Sequence, residues 1–217
     1  VNYSTVIRPG FFRETFVNTI LLGSVTATMV VPFTALCAWL AVRRKPGAWV
    51  LDQLATAPLV FPSIVMSVAF LQVFVSFPLP LYGTLLSVMI ASAVGYLPYG
   101  MRYAYAGVLQ IHSDLEEAST ASGAPQSGTF VKIVFPLLAA SMMSCWLFVF
   151  LLTVRSMSIP LMLVGPGNPI VAVSLFDLWE NGQVTELAAM GVVWIGLMLL
   201  VSAFFYFLVR RFRIFDV

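Results

Sequence analysis

Five long apolar runs, separated by short charged or proline-containing breaks, constrain this chain more than any other feature. They cover about residues 15–42, 51–77, 81–101, 130–154 and 186–209. Each reaches the ~20 residues that a helix needs to cross a hydrocarbon core about 30 Å thick. The first run stops at Arg43, Arg44, Lys45 and Pro46, the second before Pro78, Leu79 and Pro80, and the fifth at Arg210 and Arg211. Pro58 and Pro62 are expected to kink the second run, and Gly95 and Pro98 to bend the third near its exit at Arg102. Hydrophobic residues make up 60% of the 217, charged residues only 9%, and the mean hydropathy is +0.98, well beyond the roughly 45–50% apolar share of soluble domains. The expected fold is an all-α membrane protein, a single unit over 1–217 with about five transmembrane helices and no internal repeat.

The net charge of +2 is small and the eleven Lys and Arg are scattered, which argues against nucleic-acid binding. Their placement chooses an orientation. With the C-terminus inside, Arg43, Arg44, Lys45, Arg102, Lys132, Arg210, Arg211 and Arg213 are cytoplasmic, against Arg8, Arg13 and Arg155 outside; the positive-inside rule therefore puts the N-terminus of the segment outside. Cys37 and Cys145 lie alone within apolar stretches and read as packing residues. The first residue is Val in place of Met, and Val1–Glu14 has no small-residue cleavage site after a short apolar core, so the sequence reads as part of a longer polypeptide or as a trimmed chain.

The same orientation makes the loop of about 103–129 cytoplasmic. Within it, Ser113-Asp114-Leu115-Glu116 has the form of a capping box, in which Ser113 and Glu116 satisfy each other's backbone N–H groups. Gly123 suits a left-handed C-cap, and Pro125 follows it. A helix from Ser113 to about Ser122 is expected, with Leu115, Ala118 and Ala121 on one face and Asp114, Glu116 and Glu117 supplying charge. So short a helix needs a partner surface. His112, the sole histidine, has no metal-type companions beside it and reads as structural.

Glu117-Ala118-Ser119, three residues, Gly123, nine residues, Ile133, two residues and Pro136 resembles the EAA loop of the permease subunits of binding-protein-dependent, type I ABC importers, the MetI-like fold. Ser119 replaces the usual second Ala, and Phe135 the usual Leu before Pro. The resemblance implies that the short helix is a coupling helix docked on a cytoplasmic ATPase subunit, with Glu117, Ala118, Ser119, Gly123, Ile133 and Pro136 as the coupling residues. It implies as partners two ATP-binding subunits, a second transmembrane domain (an identical copy or the other half of a fused chain), an extracellular or periplasmic binding protein, and membrane lipid. No Gly-x-x-x-x-Gly-Lys-Ser/Thr loop is present. The expectation is a non-enzymatic permease without cofactor or metal of its own, working by alternating access in a prokaryotic inner membrane while the partner subunit binds ATP and magnesium.

The external loop, 155–185, is apolar but broken by Pro160, Gly165, Pro166, Gly167 and Pro169, and reads as a hairpin or shallow re-entrant element. Asp177, Trp179 and Glu180 suggest an amphipathic piece beyond it, with Trp179 as an interfacial anchor. This arrangement resembles the ferric-iron branch of the importer permeases, which makes ferric iron the first substrate expectation; permeases for thiamine, polyamines, sulfate and phosphonates share the layout. Ser63, Ser67, Gln72, Ser87 and Ser92 are candidate pathway residues, since polar groups in hydrocarbon turn inward, and the hydroxyls fit helix packing equally well. Asn18 and Thr19 are further candidates to line the outer opening. Against a secondary transporter stand the lack of mid-membrane charges and of inverted repeats, and against an intramembrane enzyme the lack of any catalytic constellation.

Overall fold

The computed structural model describes residues 9–77 and 81–213, apart from the side chains at 9, 11 and 208–213. Arg8, the Pro78-Leu79-Pro80 turn and the side chains of Arg210, Arg211 and Arg213 lie outside the described residues. Ten helical elements follow in order: α1 Pro9–Val42, α2 Ala48–Thr56, α3 Ser63–Ser76, α4 Leu85–Leu109, α5 Asp114–Ala121, α6 Gln126–Leu137, α7 Ala139–Arg155, α8 Ser158–Leu163, α9 Val171–Glu180 and α10 Val184–Arg213. Among the described residues there is no β-strand; one isolated parallel bridge joins Gly83 and Val164.

α1, 34 residues, is about 51 Å long at 1.5 Å per residue. The segments Phe12–Val42 and Val184–Phe207 are each long and apolar enough to cross a membrane. Two bent pairs raise the number of spans to as many as four. α4 has 25 residues, enough length for a fifth, but Tyr96, Pro98, Tyr99 and Arg102 dilute its apolar character. α4 packs along α1 and touches α2, α3 and α7, so little of it needs to suit lipid.

The second apolar run is not the straight span that its composition suggests. Helix Ala48–Val60, whose last turn is 3₁₀, meets Ser63–Ser76 at 110°. The break is at Phe61 and Pro62, both extended (ψ 133° and 140°), because the proline ring bars its predecessor from the helical region and Pro62 has no N–H to continue the ladder. Pro58 instead sits second in the 3₁₀ turn Ala57–Val60, where a proline is tolerated. The fourth run is likewise bent, by 73° between α6 and α7. Pro136 sits just past a π-helical turn at Phe130–Val134, where its ring would obstruct a regular i→i−4 ladder. In the third run Pro98 lies inside one continuous helix that extends past Met101 to Leu109.

Where helices cross, small residues let them close. A Cβ added to Gly23 would lie 2.6 Å from Val154 Cγ1 and 2.8 Å from Phe150 Cδ2; one on Gly100 would lie 2.6 Å from Thr34 Oγ1. Such contacts bring α1 against α7 and α4, as is usual where lipid removes the hydrophobic drive to associate. Cys37 and Cys145 are buried within this α1–α4–α7 core. α10 adds Ala189, Met190 and Trp194 to this core, but its most apolar stretch is only 17% buried, with Leu199, Leu200, Phe204 and Phe207 exposed.

Contacts between distant residues sort the loops to two ends. At one end, Arg43 Nη2 donates to the Ile111 carbonyl (2.9 Å), joining the α1–α2 turn to the α4–α5 loop. At the other, Asn18 Nδ2 donates to the Pro169 carbonyl (3.1 Å), the Val171 N–H to Thr19 Oγ1 (2.9 Å), and Asn168 Nδ2 to the Gly83 carbonyl (3.0 Å). The segment expected as a re-entrant hairpin is α8 and its return, with Ile159, Pro160, Leu163 and Ile170 buried. Gly165 is required there, since a Cβ would lie 2.6 Å from the Gly83 carbonyl oxygen.

Candidate functional site: the α5 loop

α5 begins at Asp114 and ends at Ala121, within one residue of the expected bounds. Its exit is the expected one. Gly123 has φ +82°, the Gly123 N–H donates to the Thr120 carbonyl (2.9 Å) and the Ala124 N–H to the Ser119 carbonyl (3.2 Å). This is a Schellman pair, which glycine enters without the Cβ penalty.

The start differs from expectation. Ser113 is helical (φ −63°, ψ −26°) and its side chain makes no cap bond, so the capping box does not form. Glu116 turns away from the α5 N-terminus to the end of α1. Its Oε1 accepts from Arg43 Nε at 2.8 Å and lies 2.7 Å from Arg43 Nη2, and its Oε2 accepts from Trp39 Nε1 at 2.9 Å. Side-chain exposure is 19% for Arg43 and 13% for Glu116, so water screens the pair less than an open surface bridge. A charged, largely covered carboxylate with three N–H donors satisfies more bonding capacity than a cap would.

Ser119 Oγ lies 2.9 Å from Thr129 Oγ1 on α6. The Trp39 ring lies 5.1 Å from that of Phe130 on the π turn, closing the contact between α1 and α6. Ser113, Glu116 and Ser119, three residues apart, thus form the half-covered inner face of α5, while Asp114, Leu115, Glu117, Ala118 and Ala121 are exposed. The Glu117 carboxylate has no hydrogen-bond or ion-pair partner among the described residues, while its backbone carbonyl accepts from Thr120 Oγ1 (2.9 Å). Ile133 is half-buried on the π turn and Pro136 exposed beyond it. Two clefts flank α5: one of about 230 Å³ bordered by Lys45, Glu117, Thr120 and Gln126, and one of about 680 Å³ between it and the α4 and α7 ends. His112 and Asp114, both exposed, face each other at 3.0 Å. Among the described residues no group of three His, Cys, Asp or Glu can hold a metal.

The five pathway candidates separate. Ser63 and Gln72 are on the chain's exposed face, Gln72 bonded to Ser76 Oγ (3.1 Å). Ser67, Ser87 and Ser92 are buried within the chain. Ser67 Oγ donates to the Ser63 and Ser158 carbonyls (2.7 and 3.0 Å) and Ser87 Oγ to the Thr84 carbonyl (2.7 Å), whereas Ser92 Oγ has no partner among the described residues. Asn18 and Thr19 pin the α8–α9 return. Trp179 is exposed at 64%, as an interfacial anchor would be.

Glu116 as an anchor is the functional residue that sequence reasoning missed. A signal existed: Trp39 and Arg43 are one turn apart at the end of α1 and so share a face. Nothing local linked that face to a glutamate 73 residues away.

Residues 9–214 match the family model for the binding-protein-dependent transport system inner membrane component. The chain is 28% identical over 199 residues to the ferric transport system permease protein FbpB of Actinobacillus pleuropneumoniae, covering 91% of this chain and 29% of that protein. It is 27% identical over 212 residues to the 2-aminoethylphosphonate transport system permease protein PhnV of Salmonella typhimurium, covering 91% of this chain and 80% of that one. Among solved structures it resembles a bacterial ABC transporter involved in the import of the acidic polysaccharide alginate, with a TM-score of 0.76 at 12% identity over 97% of this chain and 82% of that one. The all-α architecture is thus the MetI-like importer permease fold, and the chain belongs to the family of binding-protein-dependent transport system inner membrane components.

Proposed function

We propose that this chain is the permease domain of an ATP-driven importer and that α5 is its coupling helix. One observation carries the reading: α5 is anchored by its inner face through Glu116 and Ser119, and leaves Leu115, Glu117, Ala118 and Ala121 exposed among the described residues. An eight-residue helix does not hold its shape in water unaided. Held from behind and bare in front, it presents small residues that allow close approach and one unpaired carboxylate that suits a basic group on an ATPase subunit. Glu117, Ala118 and Ser119 then make and orient the contact, Gly123 turns the chain out of it, and Ile133 and Pro136 set the entry into α7. The loop end of the bundle faces the cytoplasm in this reading, consistent with Arg43, Arg44, Lys45 and Lys132 at that end.

Two ATP-binding subunits, a second membrane domain and a binding protein on the opposite face complete the machine. ATP-driven closure of the ATPase pair draws the coupling helices together and opens the passage outward; hydrolysis returns it. The EAA-type spacing supports this assignment, as does the family. Ferric iron is the proposed substrate, on the 28% identity to FbpB and the loop pattern of 155–185; the nearly equal likeness to PhnV makes a phosphonate the alternative. In this fold the binding protein does most of the selecting, so Ser63 and Gln72, the exposed candidates, line the passage without defining the substrate.

The test is a pull-down from detergent-solubilised membranes using the chain and its Glu117→Lys variant as bait. The reading expects an ATPase subunit with the unmodified chain and its loss with the variant. No ATPase with either, under conditions that retain other importer complexes, would count against it and bring a gradient-driven transporter forward.

A further inference from the structure

We infer that the Arg43–Glu116–Trp39 cluster is a strut that makes the cytoplasmic end of α1 and helix α5 move as one body, so that Glu116 is the positioning residue through which a displacement of α5 reaches the bundle. This rests on the coupling reading above.

The cluster uses both carboxylate oxygens: Oε1 takes Arg43 Nε and Nη2 at 2.8 and 2.7 Å, and Oε2 takes the Trp39 indole N–H at 2.9 Å. Arg43 Nη2 also holds the Ile111 carbonyl at 2.9 Å, fixing the segment that leads into α5. Two-oxygen recognition by a planar guanidinium and an indole restricts rotation as well as distance. A second leg runs from Ser119 to Thr129 (2.9 Å), and the Trp39–Phe130 ring contact at 5.1 Å closes the triangle between α1, α5 and α6. Trp39 is itself 5% exposed and lies on the helix that packs along α4 and against α7. Motion of α5 therefore has a stiff route into the three core helices, whereas a helix joined only by the flanking loops 110–113 and 122–125 would swing and absorb it. Glu117, on the other face, is left to the partner. The two adjacent glutamates divide the work.

Two measurements test the strut. In proteoliposomes holding the complete importer, labelled ferric iron accumulated per ATP hydrolysed should fall about tenfold or more in Glu116→Gln, the loss of a charge-assisted bond, while the ATPase subunit still co-purifies. Trp39→Phe, which keeps a ring against Phe130, should fall less, and the exchanged pair R43E/E116R should recover much of the ratio. A wild-type ratio in Glu116→Gln, or loss of ATPase binding in that variant with its fold intact, would overturn the strut. The second measurement needs no partner: pulsed electron-spin distances between labels at Leu36 and Ala121 in the isolated chain should be narrow and broaden in Glu116→Gln. Unchanged width overturns the strut while leaving the coupling reading standing; absence of any ATPase on the unmodified chain removes that reading whatever the width.

Discussion

Gly123 offers the sharpest separation of backbone geometry from bulk. Its φ is +82° and a Cβ built there meets nothing within 4 Å, so a side chain has room within this chain and only the left-handed backbone opposes it. For an L-residue that conformation costs about 1–2 kcal/mol, with a β-branched residue at the upper end. Relief of the strain unwinds the Gly123→Thr120 and Ala124→Ser119 bonds and with them the last turn of an eight-residue helix. A cost of 1–2 kcal/mol shifts the capped population roughly 5- to 30-fold. The dissociation constant of an ATPase subunit for the chain in nanodiscs should therefore rise by about that factor in Gly123→Val. Asn tolerates the left-handed region, and Gly123→Asn should stay within about threefold of the unmodified chain. Equal loss in Val and Asn would mean that the partner rejects any side chain at 123, and equal retention would mean that the cap does not matter; either refutes the argument.

Three further outcomes follow from the packing. Gly165→Ala places a methyl 2.6 Å from a backbone oxygen that cannot swing aside, and should lower the thermal midpoint in detergent by the equivalent of about 1–3 kcal/mol; an unchanged midpoint would contradict the Gly83–Gly165 approach. Thr19→Val leaves the buried Val171 N–H without its acceptor, at about 1–3 kcal/mol, and should speed proteolysis within 156–185 without affecting the α5 end; uniform or unchanged cleavage would contradict it. Cys37 and Cys145, 2% and 0% exposed, should resist a membrane-permeable maleimide until the chain is unfolded, and rapid native labelling of either would place it outside the core.

The features legible in the sequence were those set by local chemistry. Gly123 followed by Pro125 terminates α5 wherever the helix is placed, because the constraint is on a few residues' own dihedrals. The break at Pro62 is of the same kind, although its size, 110°, depends on what α2 and α3 find to pack against. The departures come from long-range partners. Ser113 and Glu116 have a local solution as a capping box, yet Glu116 finds a guanidinium and an indole that outcompete a single backbone N–H. The buried serines were ambiguous because a hydroxyl in a helix can bond its own i−4 carbonyl, as Ser67 does, and so needs neither pathway nor partner. Asn18 and Thr19 face inward to hold the α8–α9 return, a role set by residues some 150 positions away.

The most direct test of the central claim is transport itself. Proteoliposomes containing this chain, its ATPase subunits and a second membrane domain, with the binding protein and labelled ferric iron on the outward face, should accumulate iron only with ATP and magnesium on the ATPase side. Omission of the binding protein should abolish accumulation. Uptake that proceeds without nucleotide and follows an imposed ion gradient would contradict the account.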